Sequence, residues 1–591
     1  MSDAVPPTKL ARRERMAWAI AGVATLGLAA ALAGVVVLRR PAPPPAAIRF
    51  QIPLPARMSS YFDVQATGLS VSPDGRQLIF VGVADGQRQL WLRPLDQVVA
   101  RAIPGTEDAY SPFWSPDGRY VAFFAGGKLK RIEPAGTSLQ TICDLPGGIV
   151  STTGAWGQDG VILFNVLNET EQTLFRVTAA GGTATLFVKG DFPWWPHFLP
   201  DGRHYLVYRF NQDPSKQGIV VASLDSTDTK LVVPTKFTRV EYGNGYLVYA
   251  REGSLVAQRF DERSLQISGD PITVVERVPF FENTGWAGYS ISRNGVLVHL
   301  TNFQSERLVW RDRSGREAGS IGKPGAWNMR IAPDGRRVAI VQIDPARLSG
   351  NVWIHELARG TDTLFALGPA DNGNPVWAPD GKRIAFFSCC VPLSSVQSTL
   401  RIKDVGDPGP GASPLEPGFH GPTDWSLDGR FILFERAESS NKPTDIWVLS
   451  VEDRKAKPFL QTPFRESDAR FSPDGRWVAY TSNETNRDEI YVARFDRPNE
   501  KSRVSIDGGR GPRWRRDGKE LFFLSADNHA MAAATRTGDS FEFDRPVALF
   551  QSDSPFYVDW DAAPDGQRFL VGSAAATPFA VVVNWPSELK P

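Results

Sequence analysis

Cysteine is scarce in this chain of 591 residues: only Cys143, Cys389 and Cys390 occur. Three cysteines without a Cys-x-x-Cys pair exclude a disulfide-stapled scaffold and a thiolate zinc site. The adjacent pair Cys389 and Cys390 admits either a strained vicinal disulfide or buried free thiols. Histidine is nearly as rare, and His197, His204, His299, His355, His420 and His529 lack the spacing of metal ligands. Neither a metal nor a cofactor is expected. An excess of one charge is missing too: 66 Lys plus Arg stand against 65 Asp plus Glu, and the net charge of +1 excludes nucleic-acid binding by bulk electrostatics. No Gly-x-Ser-x-Gly elbow, Gly-rich phosphate loop or kinase catalytic loop is present. Aromatics are plentiful, with 17 Trp and 35 Phe, and 53 Gly with 46 Pro point to folded cores joined by many short turns.

Met16 to Leu38 form an uncharged run of 23 residues. As a helix rising about 1.5 Å per residue, that run would cover the roughly 30 Å core of a bilayer. Lys9, Arg12, Arg13 and Arg15 precede it and only Arg39 and Arg40 follow, a bias that makes residues 1–15 a cytoplasmic tail. The expected location is therefore a bacterial inner membrane, crossed once at 16–38, with everything beyond a Pro-rich spacer at 39–47 in the periplasm. The alternative is secretion after cleavage, because Ala31-Leu32-Ala33 has the small-x-small pattern of a processing site.

Beyond residue 60, Asp-Gly or Asn-Gly recurs every 40 to 50 residues, beginning at Asp74, Asp117, Asp159, Asp201, Asn244, Asn294, Asp334, Asp380, Asp428, Asp474, Asp517 and Asp565. That period is the length of a four-stranded propeller blade. The residue four places later is apolar in all twelve copies, from Leu78 and Val121 to Leu521 and Phe569. Three places earlier stand bulky residues such as Trp114, Trp156, Trp377, Trp425 and Trp514, with Glu241 and Ala562 as the exceptions. The pattern predicts a hairpin whose two central residues both take positive φ, with the large residues filling the gaps between stacked blades. The fold class expected is all-β, with two six-bladed β-propellers after one N-terminal transmembrane helix. Since one ring rarely exceeds eight blades, twelve repeats divide most simply as six and six. The polar stretch Arg311-Asp312-Arg313-Ser314-Gly315 marks the crossing, giving a first propeller over 48–315 and a second over 316–591. Closure is expected from strands borrowed upstream: residues 48–54 for the sixth blade and roughly 316–322 for the twelfth.

The segments WSPDGRYVAFF at 114–124, FLPDGRHYLVY at 198–208, FSPDGRWVAYTSNE at 471–484 and WRRDGKELFFL at 514–524 resemble TolB-type, WD-like propeller repeats over nearly all of 48–591. PGTEDAYSPFWSPDG at 104–118 and YLVYAREGSLVAQRFD at 246–261 resemble the extracytoplasmic propeller half of bacterial transmembrane serine/threonine kinases. The resemblance implies a sensor or interaction module. It does not bring kinase activity, since only 15 residues precede the apolar run and no kinase motif occurs. Related propellers also precede the hydrolase domain of prolyl oligopeptidase and dipeptidyl peptidase IV, but here the repeats continue to within about 25 residues of the last one, and no hydrolase is expected.

One asymmetry points to a site. Four residues before the turns, the second half carries Arg330, Val376, Asp424, Arg470, Arg513 and Asp561, whereas the first carries Ser70, Phe113, Ala155, His197, Val240 and Ser290. Innermost strands edge the central channel, so Arg330, Asp424, Arg470, Arg513 and Asp561 are candidates for an ion-lined mouth that takes a charged peptide or glycan. The competing reading makes them interblade salt bridges. Trp194, Trp195 and His197 are the exposed-aromatic candidates of the first half. The function expected is a membrane-anchored sensor or scaffold that binds a protein, peptide or glycan and signals through a membrane partner. A structural role in envelope assembly and an enzyme acting on envelope sugars or peptides are the alternatives.

Overall fold

The computed structural model describes residues 9–38, 46–54, 58–60, 68–84, 87–146, 154–167, 172–189, 193–211, 213–281, 285–301, 306–323, 325–344, 350–367, 371–389, 398–437, 443–552, 560–574 and 578–589. Its repeated local unit is the turn. At Ser72-Pro73-Asp74-Gly75 the Gly75 N–H donates to Ser72 O (2.8 Å) and the Ser72 N–H to Gln77 O (2.8 Å). Gly75 sits in the left-handed region at φ 67°, but Asp74 does not. Pro73 sets the right-handed first corner of a type I turn, so only the closing glycine needs positive φ. The expected turn with two positive φ angles occurs at Asn244-Gly245 (54° and 82°). Elsewhere the aspartate acts through its side chain. Asp74 Oδ1 accepts the Ser72 hydroxyl (2.6 Å), and Ser72 Oγ accepts the Gln77 N–H (2.9 Å). The same clasp recurs at Ser115 with Asp117, Ser426 with Asp428 and Ser472 with Asp474.

The protein is all-β beyond its one long helix, and most of its sheets are four antiparallel strands, as in propeller blades. The first strands Leu69–Val71, Tyr110–Trp114, Gly154–Trp156, Pro193–Phe198, Val240–Gly243 and Tyr289–Ile291 touch one another in that order, and the last returns to the first. A second set, Ala326–Ile331, Asp371–Trp377, Phe419–Trp425, Glu466–Phe471, Arg510–Trp514 and Trp560–Ala562, does the same. The core lies between sheets. Ile79, Val81, Leu90 and Leu92 of one sheet, for example, pack with Trp114, Val121 and Phe123 of the next. The tryptophans before the turns also bond across this gap: indole N–H groups of Trp114, Trp377 and Trp514 donate to Ser70 O (3.1 Å), Arg330 O (3.0 Å) and Arg470 O (3.2 Å) of the preceding sheet.

The strand pairings divide the chain differently from a cut between 315 and 316. Tyr289–Ile291 and Val296–Leu300 are followed in their sheet by Phe579–Val583, and Ile48–Ile52 forms the outer edge. Trp560–Ala562 and Arg568–Ala574 are completed by Glu306–Asp312 and Glu317–Ile321. The chain thus leaves the first set after 301, runs through the second, and comes back at 578. The stretch Arg311 to Gly315, expected to be the crossing, is instead a hairpin turn in which the Gly315 N–H donates to Asp312 O (2.9 Å) and the Ser314 hydroxyl to Asp312 Oδ1 (2.6 Å). Assigning Phe579–Trp585 to the nearest preceding repeat missed the exchange because the apolar pattern suits either sheet. Phe579 is buried in the first set with its ring 5.1 Å from that of Phe80, and Arg49 pairs with Glu588 (2.5 Å).

The expected membrane crossing is corrected. Residues Lys9–Leu38 are helical, but among the described residues no helix is long and apolar enough to cross a membrane. The single-pass inner-membrane placement with periplasmic propellers rested on such a helix, so no location follows from this segment.

Trp585 locks the returning strand: it is fully buried, meets the Tyr246 ring edge-on at 5.7 Å and packs with Val274, Val275 and Leu297. Trp585→Ala is expected to destabilise the first set by about 3–5 kcal/mol. Calorimetry should then show one early transition, while that of the second set stays in place.

Candidate functional site

The first strand of each sheet runs along the axis of its set, and in several sheets it carries a bulge. Register slips occur between Trp327 and Met329, Gly373 and Val376, Pro422 and Asp424, Ser467 and Arg470, and Arg510 and Arg513. Asn328, Asn374 and Asp468 take positive φ within them. A bulge turns the following side chain out of the alternating pattern. In the second set such bulges bring Arg330, Val376, Asp424, Arg470 and Arg513 to one mouth with Asp561, around a cavity of about 190 Å³ walled by Trp377, Trp425 and Trp514.

The two aspartates are committed to the backbone of a neighbouring sheet. Asp424 Oδ2 accepts the Phe471 N–H (2.7 Å), and Asp561 Oδ2 accepts the Ile331 N–H (2.8 Å), the latter joining the last sheet of the set to its first. Asp561 Oδ1 also stands 3.3 Å from Arg513 Nε. The three arginines share one posture, each donating Nη1–H to the carbonyl of the residue before it: Met329 (2.7 Å), Ala469 (3.1 Å) and Pro512 (2.8 Å). Arg513 donates once more, from Nη2 to Trp560 O (3.2 Å). Arg330 Nε and Arg470 Nη2 are buried without a hydrogen-bond acceptor among the described residues. Burial, then the neighbouring Arg470, pushes the Arg330 guanidinium down to about 10. Burial, Arg330 and Arg470 together hold Arg513 well below its ordinary range. Burial raises the Asp424 carboxyl against the pull of Arg470 and the Phe471 N–H.

The first set differs. Its mouth surrounds about 140 Å³ and is walled by Trp114, Trp156, Phe198 and Tyr242. Its buried guanidinium, Arg239, has its own carboxylate in Glu241, whose Oε2 accepts the Ile291 N–H (2.7 Å), and Arg239 also donates to Tyr289 O (2.8 Å). This explains why Glu241 interrupts the bulky series: it does for two sheets what Asp424 and Asp561 do in the second set. Ser290 plays the same part on a smaller scale, accepting the Val71 N–H (3.2 Å). Trp194 and Trp195 do not form an exposed aromatic patch. Trp195 is 1% exposed at a bulge of φ 57°, and Trp194 packs edge-on against Phe237 (5.1 Å). His197 does line the mouth, where burial, then Arg239 and Arg293, push its imidazole down to about 3.

Sequence reasoning overlooked Arg239, Arg293, Asp468, Glu435 and Arg516. Arg239 stands immediately before the inspected Val240, and Asp468 lies within the bulge that precedes the inspected Arg470. Glu435 lies on a second strand opposite Gly421, and its Oε1 accepts the Asp468 N–H (2.8 Å). Burial and the Asp468 carboxylate push Glu435 upward. A glycine facing an acidic residue across a hairpin was the available signal. Cys143 is a buried thiol pushed up to about 11 by desolvation, and Cys390 lies outside the described residues. Among the described residues no group of three or more His, Cys, Asp or Glu is placed to hold a metal ion.

No family model matches the chain. It is 24% identical over 299 residues to the uncharacterized protein Atu1656 of Agrobacterium fabrum, a match covering 47% of this chain and 83% of that one. It is 25% identical over 204 residues to the uncharacterized peptidase YuxL of Bacillus subtilis, covering 27% of this chain and 30% of the relative. Among solved structures it is similar to the putative TolB of Agrobacterium tumefaciens, at 18% identity and a TM-score of 0.36, with 46% of this chain and all of that one covered. The similarity is to a TolB-type propeller, the repeat class that the turn motifs resemble.

Two outcomes follow from these bonds. Asp561→Ala should cost the second set about 3–5 kcal/mol in urea unfolding, because Arg513 is then buried without its carboxylate. His197 remains neutral in the fold while the unfolded chain takes up a proton near pH 6.5, so its stabilising contribution is complete above that pH and is lost on acidification. Between pH 6.5 and 5 the loss is about 2 kcal/mol. His197→Gln should flatten that difference, a comparison that leaves unchanged the buried carboxyls Glu435, Glu466 and Asp371, which desolvation pushes upward and which act in the opposite sense.

Proposed function

We propose that the chain forms two six-bladed propellers, the second inserted into the sixth blade of the first, and acts as an interaction scaffold whose partner binds at the mouth of the second. The first propeller comprises residues 48–300 with 578–589, and the second 306–574. The support for the count is the order in which first strands touch, each set returning to its start. The partner is a protein, peptide or glycan. What carries the choice of mouth is the convergence there of three guanidiniums on a Trp-walled cavity whose two aspartates are already bonded to backbone N–H groups. Those bonds also favour binding over acid–base chemistry, since a carboxylate that holds a structural N–H is poorly placed to trade protons.

The full chain, immobilised and screened against peptide and glycan arrays, is expected to retain a defined set of ligands. Arg330→Gln with Arg470→Gln should weaken their capture at least about tenfold. Undiminished capture by that variant, with an unchanged melting temperature, would move the site elsewhere.

A further inference from the structure

We infer that the second mouth is a carboxylate site, in which Arg330, Arg470 and Arg513 hold one carboxylate group of the bound partner; this rests on the reading of that mouth as the binding site. Arg470 and Arg513 are 5% and 3% exposed, and like Arg330 each spends one N–H on the carbonyl of the residue before it. Buried guanidinium donors normally meet acceptors, and here Arg330 Nε and Arg470 Nη2 have none among the described residues. The first propeller supplies the comparison: its buried Arg239 is matched by Glu241, as Arg513 is by Asp561, whereas Arg330 and Arg470 have no such ion pair among the described residues.

The walls leave recognition to the guanidiniums. The indole N–H groups of Trp377, Trp425 and Trp514 are all turned to backbone carbonyls, of Arg330, Gly429 and Arg470, so what remains for a ligand is apolar surface and ring faces. Charge selects the anion. Arg330, Arg470, Arg513 and Arg516 line the cavity with Asp424 and Asp561, and Asp468 acts on Arg330 and Arg513 from close by. Four positive groups face these three carboxylates, with Glu435 behind Asp468 pushed upward by burial, a balance that suits a monoanion better than a phosphate dianion. The planar, forked donors of arginine also match the two oxygens of a carboxylate. A cavity of about 190 Å³ holds such a group with a few carbons attached. The source is either an acidic side chain of a peptide or a small free carboxylate.

The test titrates the full chain, by calorimetry and by its tryptophan fluorescence, with a blocked Ala-Glu-Ala peptide, its Gln counterpart, glutarate and inorganic phosphate. The Glu peptide or glutarate should bind at least about tenfold more tightly than the Gln peptide. The tighter of the two identifies the source. Arg470→Gln should lose that affinity, and its melting temperature is read alongside because Arg470 also favours the buried Asp424 carboxylate. Should it melt lower, Arg330→Gln, at a less buried position, decides by the same affinity ratio. Equal binding of the Glu and Gln peptides, tighter binding of phosphate, or retention of affinity by both variants overturns the inference. If array ligands still depend on this mouth while Gln serves as well as Glu, the carboxylate falls and the binding site stands. If no ligand depends on it, both fall.

Discussion

Bonds from the first strand of one sheet to the first strand of its neighbour are the constraint on which the rest of this molecule depends. A four-stranded sheet with two apolar faces cannot stand alone in water, and packing alone does not fix the rotation of one sheet on another. Indole N–H groups and carboxylates before the turns supply that direction, reaching into the backbone of the adjoining sheet at Ser70, Arg330, Arg470, Ile291, Ile331 and Phe471. They act where the sheets converge, so small angular errors there would be magnified at the outer edges.

The same bonds sort the charged residues at the second mouth. A carboxylate that caps a neighbouring N–H is a structural element, whatever its position in a channel, and Asp424 and Asp561 belong to that kind. Arg330 and Arg470 have no equivalent duty, their backbone bonds being to the residue before them, whereas Arg513 also reaches Trp560 O and Asp561 of the adjoining sheet. Interblade bridging and an ion-lined mouth, which looked like competing readings of one pattern, therefore apply to different members of it.

The repeat period made the sheets legible, because a turn every 40 to 50 residues with fixed apolar flanks is a direct consequence of four-stranded architecture. Which residues lie four places before each turn was legible as well. The bulges were not: a one-residue slip leaves no mark in a hydrophobicity pattern, yet it put Asp468 at positive φ near the arginines and Trp195 in the core. Turn chemistry was half legible. Asp-Gly located the hairpins, but only the glycine takes positive φ in most of them, whether a proline such as Pro73 or another residue such as Leu427 precedes the aspartate. The outer strands Ile48–Ile52 and Glu317–Ile321 lie where upstream closure was expected, but the exchange of third strands could not be read, since Phe579–Val583 and Glu306–Asp312 carry alternation that either sheet accepts.

That exchange also imposes an order on synthesis. Roughly 280 residues separate Leu300 from Phe579, its strand partner, and at about 5–20 residues per second a ribosome needs roughly 15–60 s to supply them. Throughout that interval Val296–Leu300 has an unpaired edge, and the apolar faces that Phe579 and Trp585 will cover are open. The second unit has all its strands from residue 574 onward and can finish first, even though it begins later. The nascent chain therefore carries an incomplete ring of the kind that invites strand exchange between copies, and its yield in a cell depends on whatever shields that edge until the last strand arrives.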